Sequence, residues 1–139
     1  MLELGGNNAI IVTTTAELDL AVRAILFGAV GTAGQRCTTT RRLFVHDSVW
    51  DQLIPRLVDS YKQVPIGNPL DSKTLMGPLI NLQAVENMQN ALRQLKKEGG
   101  EVLYGGDVLK GAKYPGGRYV TPCLAIAKAN YKVVHEETF

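Results

Sequence analysis

The stretch Asn7-Asn8-Ala9-Ile10-Ile11-Val12-Thr13-Thr14-Thr15-Ala16-Glu17-Leu18-Asp19-Leu20-Ala21-Val22-Arg23-Ala24-Ile25-Leu26 decides the fold class. Its first part is a short apolar run rich in β-branched residues, which reads as a buried strand within Leu4 to Val12. Thr14 and Glu17 then fit a capping box, in which side chain and backbone satisfy each other at a helix start. Leu18, Val22, Ile25, Leu26, Ala29, Val30 and Ala33 recur at helical spacing and predict a helix over about 15–33 with one apolar face. Gly28 and Gly31 weaken that helix by roughly 1 kcal/mol each relative to Ala, which points to close packing against another element. Gly34 is its predicted stop.

The alternation continues outward. Arg42 to His46 reads as a second strand. Ser48 with Asp51 opens a second helix carrying Trp50, Leu53, Ile54, Leu57, Val58 and Tyr61, with Pro55 expected to kink it or shift its start. Residues 67–78, rich in Gly, Pro, Asn and Asp, read as a loop. A third helix is predicted over 81–98, with Val85, Met88, Leu92 and Leu95 inward, Lys96 and Lys97 at its C-terminus and Gly99 ending it. Glu101 to Tyr104 is a short strand stopped by Gly105-Gly106, residues 110–117 are a loop, and Tyr119 to Ile126 is a further strand. Residues 131–139 favour neither helix nor strand. Strands alternating with helices imply an α/β fold with a parallel, layered sheet.

Composition narrows the function classes. The 139 residues suit one domain, and the 45% hydrophobic and 20% charged content exclude a disordered chain. A domain of this size buries roughly two-thirds of its unfolded surface. The balance of 15 Lys+Arg against 13 Asp+Glu shows no basic stripe, so nucleic acid is not an expected partner. No apolar run approaches a membrane span and no signal peptide is recognisable, so neither a membrane partner nor secretion is expected. Two cysteines make no disulfide framework, and a cytoplasmic location is the expectation.

Cys37, in Gly34-Gln35-Arg36-Cys37-Thr38-Thr39, is the candidate nucleophile, since a thiolate favoured by a nearby cation attacks carbonyls readily. From the cysteine alone, a buried structural role is the commoner reading. Glu3 is a candidate base beside a Gly-Gly pair that permits close backbone approach; alone it is an exposed carboxylate. Glu136 and Glu137 alone read as a solvated charged end, and the Arg41-Arg42 and Lys96-Lys97 pairs as solvated faces. Cys123, on an apolar strand, reads as core. His46 and His135 lack metal-ligand spacing, so no metal site is expected. Gly99-Gly100 and Gly105-Gly106 are turns, without the Gly-x-Gly-x-x-Gly pattern.

Taken together, these residues resemble a family. Glu3-Leu4-Gly5-Gly6 resembles the glutamate motif of aldehyde dehydrogenases, and Gly34-Gln35-Arg36-Cys37 their cysteine motif, 34 positions later as in the family. Gly67-Asn68-Pro69-Leu70, Met76-Gly77-Pro78-Leu79 and Glu136-Glu137-Thr138-Phe139 resemble three further segments, in family order. Asn7-Asn8 and Gln35-Arg36-Cys37-Thr38-Thr39 are most similar to the antiquitin branch, the α-aminoadipic semialdehyde dehydrogenases, although methylmalonate semialdehyde dehydrogenases also carry arginine before the cysteine.

The resemblance implies an incomplete catalytic domain over residues 1–139, three-layered α/β/α with an open sheet in its parent. The Rossmann-type cofactor domain, the asparagine completing an oxyanion hole, the oligomerisation hairpin and the last strands are expected to be absent from this chain. It implies that Cys37 forms a thiohemiacetal and then a thioester with a small-molecule aldehyde, that Glu3 activates the hydrolytic water, and that NAD or NADP takes the hydride. Glu137 would hold the nicotinamide ribose, Phe139 would contact the nicotinamide end, and Arg36 would pair with a substrate carboxylate. The chain alone is expected to bind no cofactor and to be inactive, to self-associate as a homo-oligomer, and to leave both ends of the site poorly ordered. A non-catalytic truncated product and a subunit served by a separate cofactor-domain chain remain alternatives.

Overall fold

The computed structural model describes all residues, Met1–Phe139. Strand β1 (Asn8–Val12) leads through helix α1 (Leu18–Val30) to strand β2 (Thr40–Val45), and the two strands pair in parallel. A crossover helix is what lets consecutive strands run parallel. Ile10, Ile11 and Val12 face Leu43, Phe44 and Val45 in register. Near the start of the pair, Asn8 faces Thr40 but Ala9 faces Arg42, so Arg41 is the extra residue of a bulge.

Helix α1 is shorter than predicted, and a tight turn, Gly31–Gly34, follows it. The Thr14/Glu17 capping box does not form. Glu17 itself is the N-cap, without a side-chain hydrogen bond, and Thr13 and Thr15 pair their hydroxyls instead. The close packing expected at Gly28 is present: a Cβ there would lie 2.6 Å from the Thr40 hydroxyl.

Helix α2 (Asp47–Lys62) begins one residue earlier than Ser48, because His46 is its cap: Nδ1 accepts from the Ser48 N–H at 3.2 Å. The helix runs through Pro55. The proline removes the donor for the Asp51 carbonyl, and both residues lie on the exposed side, where water can replace it. Helix α3 (Leu82–Lys97) matches its prediction to within its caps: the Asn81 side chain accepts from the Ala84 N–H at 2.8 Å, and Gly99 has φ +91°.

The expectation of a wholly parallel sheet is corrected in the last third. Strands β3 (Glu101–Tyr104) and β4 (Leu124–Ile126) pair antiparallel, as a separate two-stranded sheet. No helix lies between them, so nothing carries the chain back to a parallel start. The strand predicted over 119–126 is reduced to three residues. Pro122 has no N–H to donate, and upstream only a Val108–Val120 bridge remains.

Two apolar cores result. Val12, Val22, Ile25, Val49, Leu53 and Leu57 join the βαβ unit to α2. Val30, Ala33, Tyr61, Met76, Leu79, Val85, Met88 and Val120 join the end of α1 to α3 and the loops around it. Helix α1 contributes to both, so its C-terminal turn is anchored from two sides. No helix is long and apolar enough to cross a membrane.

Candidate active site

Parallel pairing brings two distant sequence segments to one edge. Gly5-Gly6 runs into β1, and the Cys37 loop runs into β2, so both arrive at the start of the strand pair. The approach requires glycine: a Cβ on Gly6 would sit 2.1 Å from the Cys37 carbonyl oxygen. The Asn8 side-chain amide donates to that same oxygen at 2.6 Å and to the Thr39 carbonyl at 3.2 Å.

The Cys37 loop is wound tightly before it gets there. Thr32, Ala33 and Gly34 are consecutive left-handed residues, with φ of 55°, 54° and 74°. The first two carry a Cβ and are strained by about 1–2 kcal/mol each. Burial of Ala33 in the core and the Gln35 side chain hold the turn. Gln35 Nε2 donates to the Thr32 carbonyl at 3.2 Å and to the Pro78 carbonyl at 3.5 Å, while its Oε1 accepts from the Ile80 N–H at 2.8 Å. The cysteine loop is thereby fastened to the Met76–Leu79 segment. Within the loop, Thr39, only 3% exposed, accepts from the Arg36 N–H at 3.1 Å through its hydroxyl, and its own N–H donates to the Arg36 carbonyl at 2.9 Å.

Cys37 is exposed on this turn. Glu3 is also exposed, on residues 1–5, and its side chain makes no hydrogen bond or ion pair. The structure thus brings the backbone of the glutamate segment onto the cysteine loop without a contact from the carboxylate. Arg36 turns its guanidinium over the Phe27 ring, 5.3 Å from the centroid, and its Nε is buried without a hydrogen-bond partner.

The C-terminal residues are drawn into the same place. Glu137 Oε1 accepts from the Gly6 N–H at 3.1 Å and pairs with Arg41 at 3.2 Å. The Asn7 amide donates to the Val134 carbonyl at 2.9 Å, and the Phe139 ring packs 3.5 Å from the Cβ position of Gly34. The expectation of loose ends is therefore corrected for the C-terminal segment. The tail is bonded to the glutamate segment and stacked on the cysteine turn.

The reading of Arg41 and Arg42 as a solvated face is corrected too. The Arg41 side chain is 13% exposed and donates to main-chain oxygens on both sides of the site. Arg42 grips the Asn7 carbonyl with Nε at 3.0 Å and Nη2 at 2.5 Å. Arg41, Asn8, Gln35 and Thr39 are the site residues that sequence reasoning left without a role. For Gln35, Thr39 and Arg41 the one available signal was their density around Cys37.

Cys123 is a different thiol. It is half-buried beside Leu92 and Gly106, and burial, with help from Asp107, pushes its pKa up to about 11. Tyr61, in the same core, is pushed up to about 12 by burial. No group of three or more metal-ligating side chains is present.

The sequence profile of the aldehyde dehydrogenase family matches residues 1–139. The chain belongs to the aldehyde dehydrogenase family. It is 50% identical over 139 residues to aldehyde dehydrogenase family 7 member A1 of Pisum sativum, covering the whole of this chain and 27% of that protein. It is 49% identical over 140 residues to α-aminoadipic semialdehyde dehydrogenase of Mus musculus, covering 25% of it. This aldehyde dehydrogenase chain therefore spans about a quarter of the length of the curated relatives it matches. Among solved structures, betaine aldehyde dehydrogenase from Staphylococcus aureus in complex with NAD+ superposes with a TM-score of 0.93 at 30% identity, over 98% of this chain and 27% of that one. A 3,6-anhydro-L-galactose dehydrogenase in complex with NAP gives 0.93 at 31% identity, over 98% and 29%. The fold is an α/β portion of the aldehyde dehydrogenase fold, and the antiquitin resemblance read from the motifs agrees with these relatives.

Proposed function

We propose that residues 1–139 are part of the catalytic domain of an NAD(P)-dependent aldehyde dehydrogenase of the antiquitin type, acting on a semialdehyde. The observation that supports this best is the junction of Gly6, Asn8 and Cys37: it places the nucleophile's main chain against the segment that carries the base.

In this reading the Cys37 thiolate adds to the aldehyde carbonyl, giving a thiohemiacetal. The Cys37 N–H donates to the developing oxyanion, a type of contact worth about 3–4 kcal/mol. NAD(P)+, when bound, would supply the hydride acceptor that the Cys37 thiohemiacetal needs to become a thioester. Glu3 takes a proton from water, which attacks the thioester carbonyl; the acid departs and the thiolate returns. The exposed, uncommitted Glu3 carboxylate is free to swing toward that water.

The residues fit the ribose end of such a cofactor. Both contacts to Glu137 fall on Oε1, and Oε2 accepts no hydrogen bond, so a sugar hydroxyl has an acceptor there. Phe139 offers an apolar surface beside Gly34. Residues 1–139 contain no dinucleotide-binding glycine motif, so the rest of the cofactor must be held elsewhere. Arg36 is the group this reading assigns to a substrate carboxylate, a role that requires its guanidinium to turn outward from the Phe27 ring. The reading includes a cytoplasmic setting and self-association into a homo-oligomer.

An activated ester tests the chemistry without a cofactor. With p-nitrophenyl acetate, Cys37 displaces p-nitrophenolate to give an acetyl thioester, which Glu3 helps to hydrolyse. Peptide mapping should find acetyl on Cys37, none after Cys37→Ala, and a longer-lived adduct after Glu3→Gln. Acetylation that ignores Cys37, or turnover indifferent to Glu3→Gln, overturns the reading. The chain alone should form no NADH from an aldehyde above the Cys37→Ala control, because hydride transfer needs the nicotinamide positioned, a contribution of about 7–11 kcal/mol.

A further inference from the structure

Arg41 occupies the one irregular position of the β1/β2 pair. In regular register it would alternate with its neighbours across the sheet. As the extra residue of the bulge, it is released from that alternation, and its side chain turns into the site rather than along the sheet. Its Nη1 donates to the Gly6 carbonyl at 2.6 Å. Its Nη2 donates to the Phe139 main-chain oxygen at 2.6 Å and lies 3.2 Å from Glu137 Oε1. The same nitrogen reaches the Gly34 and Arg36 carbonyls at 3.5 and 3.4 Å. Three segments that are far apart in sequence meet on one guanidinium: the glutamate segment, the cysteine turn and the C-terminal motif.

Only arginine suits this arrangement. Its planar fork presents five N–H donors in fixed directions, whereas a lysine ammonium is a compact charge on a flexible stem. The guanidinium is also largely shielded from water, so the carbonyls it serves have few alternative donors. Arg42, next in sequence but in regular register with Ala9, serves only the Asn7 carbonyl.

We propose that Arg41 is the positioning residue of this site, holding the Cys37 turn, the Gly6 backbone and the Glu137–Phe139 segment as one unit; what that unit does rests on the dehydrogenase reading above. Arg41 touches none of the reacting atoms. It acts by fixing where the nucleophile's loop stands relative to the base-bearing strand and to the ribose-binding carboxylate.

The test reads amides that the altered side chain does not itself touch. The Gly6 N–H donates to Glu137, and the Thr39 N–H donates to the Arg36 carbonyl. Hydrogen exchange is measured on the full chain, with the Leu57 amide in α2 as the reference for global opening. Arg41→Lys should speed Gly6 exchange about tenfold relative to Leu57, because Glu137 loses its anchor. Glu137→Ala should speed Thr39 exchange about threefold relative to Leu57, and the double variant separates the part that travels through Arg41 from any part carried by Gly6 and Asn8. In the double variant, the Glu137→Ala increment at Thr39 should vanish. Exchange at Gly6 and Thr39 that moves only in step with Leu57 overturns the proposal. Should Arg41→Lys fail to fold, Arg41→Gln takes its place in the same double-variant comparison. Failure of the ester test leaves this coupling standing, and normal ester chemistry with uncoupled amides removes the positioning role alone.

Discussion

The two thiols of this chain share a side chain and nothing else. Cys37 stands exposed on a strained turn whose main chain is held from every side. Cys123 stands just before β4, and its side chain is half-buried in the second core. At Cys37 the protein spends its hydrogen bonds on backbone atoms and leaves the sulfur open. At Cys123 it spends apolar surface on the sulfur and leaves the backbone ordinary. On the proposed reading, a thiol placed for chemistry and one placed for packing differ in which part of the residue is constrained.

Alkylation should read this difference directly. Brief iodoacetamide treatment should label Cys37 about a hundredfold faster than Cys123 at pH 8, because Cys123 is both covered and protonated there. Met88→Ala, in the core that Cys123 packs against, should lower stability by about 2–5 kcal/mol. It should speed Cys123 labelling while leaving Cys37 unchanged. Faster labelling of Cys123 in the wild type would mean that the Cys37 turn is closed.

A smaller effect separates strain from packing. Thr32 is exposed and left-handed. Thr32→Gly should therefore raise stability by about 0.5–1 kcal/mol after the added unfolded-state freedom of glycine is set against the relief. Thermal unfolding would measure it, and a loss of stability would show that the Thr32 hydroxyl, bonded to the Gly31 carbonyl, matters more than its backbone.

The smallest effect concerns the tail. Burial alone would raise the Glu98 pKa, but hydrogen bonds from the Gln94 side chain and the Val133 and Lys132 N–H groups outweigh it and hold the carboxyl below its usual 4.5. A lowered folded-state value means that this contribution is complete above pH 4.5 and is lost as the pH falls through the lower folded value. Exchange of the Val133 amide relative to the Leu57 amide should rise in that acid window, before global unfolding, and Glu98→Gln should flatten the rise.

Legibility from sequence followed the range of the forces. Helix α3 was readable almost to the residue because Asn81, Gly99 and the apolar face are local signals. The start of α2 was misplaced because histidine is an uncommon cap and Ser48 a common one. β4 was overextended because Val120 and Cys123 look like strand residues, while Pro122 breaks the ladder. Cys37 and Glu3 are assigned through motif resemblance, and the structure brings their segments together without a contact from the Glu3 carboxylate. The cluster around Arg41 was not, since charge patterning cannot reveal a bulge that redirects one side chain of an arginine pair.

The hydrogen bond between Gly6 and Glu137 spans 131 positions, whereas Asn8 reaches the Cys37 carbonyl across 29. Closing the longer loop costs about 1.3 kcal/mol more in chain entropy, at roughly 0.6 kcal/mol per doubling. The order of assembly follows. The βαβ unit can form with the cysteine turn inside it while the last residues are still free. On this entropy difference Glu137 and Phe139 are expected to dock afterwards, onto a surface already shaped, so the Cys37 loop would be built before the residues proposed for the ribose arrive.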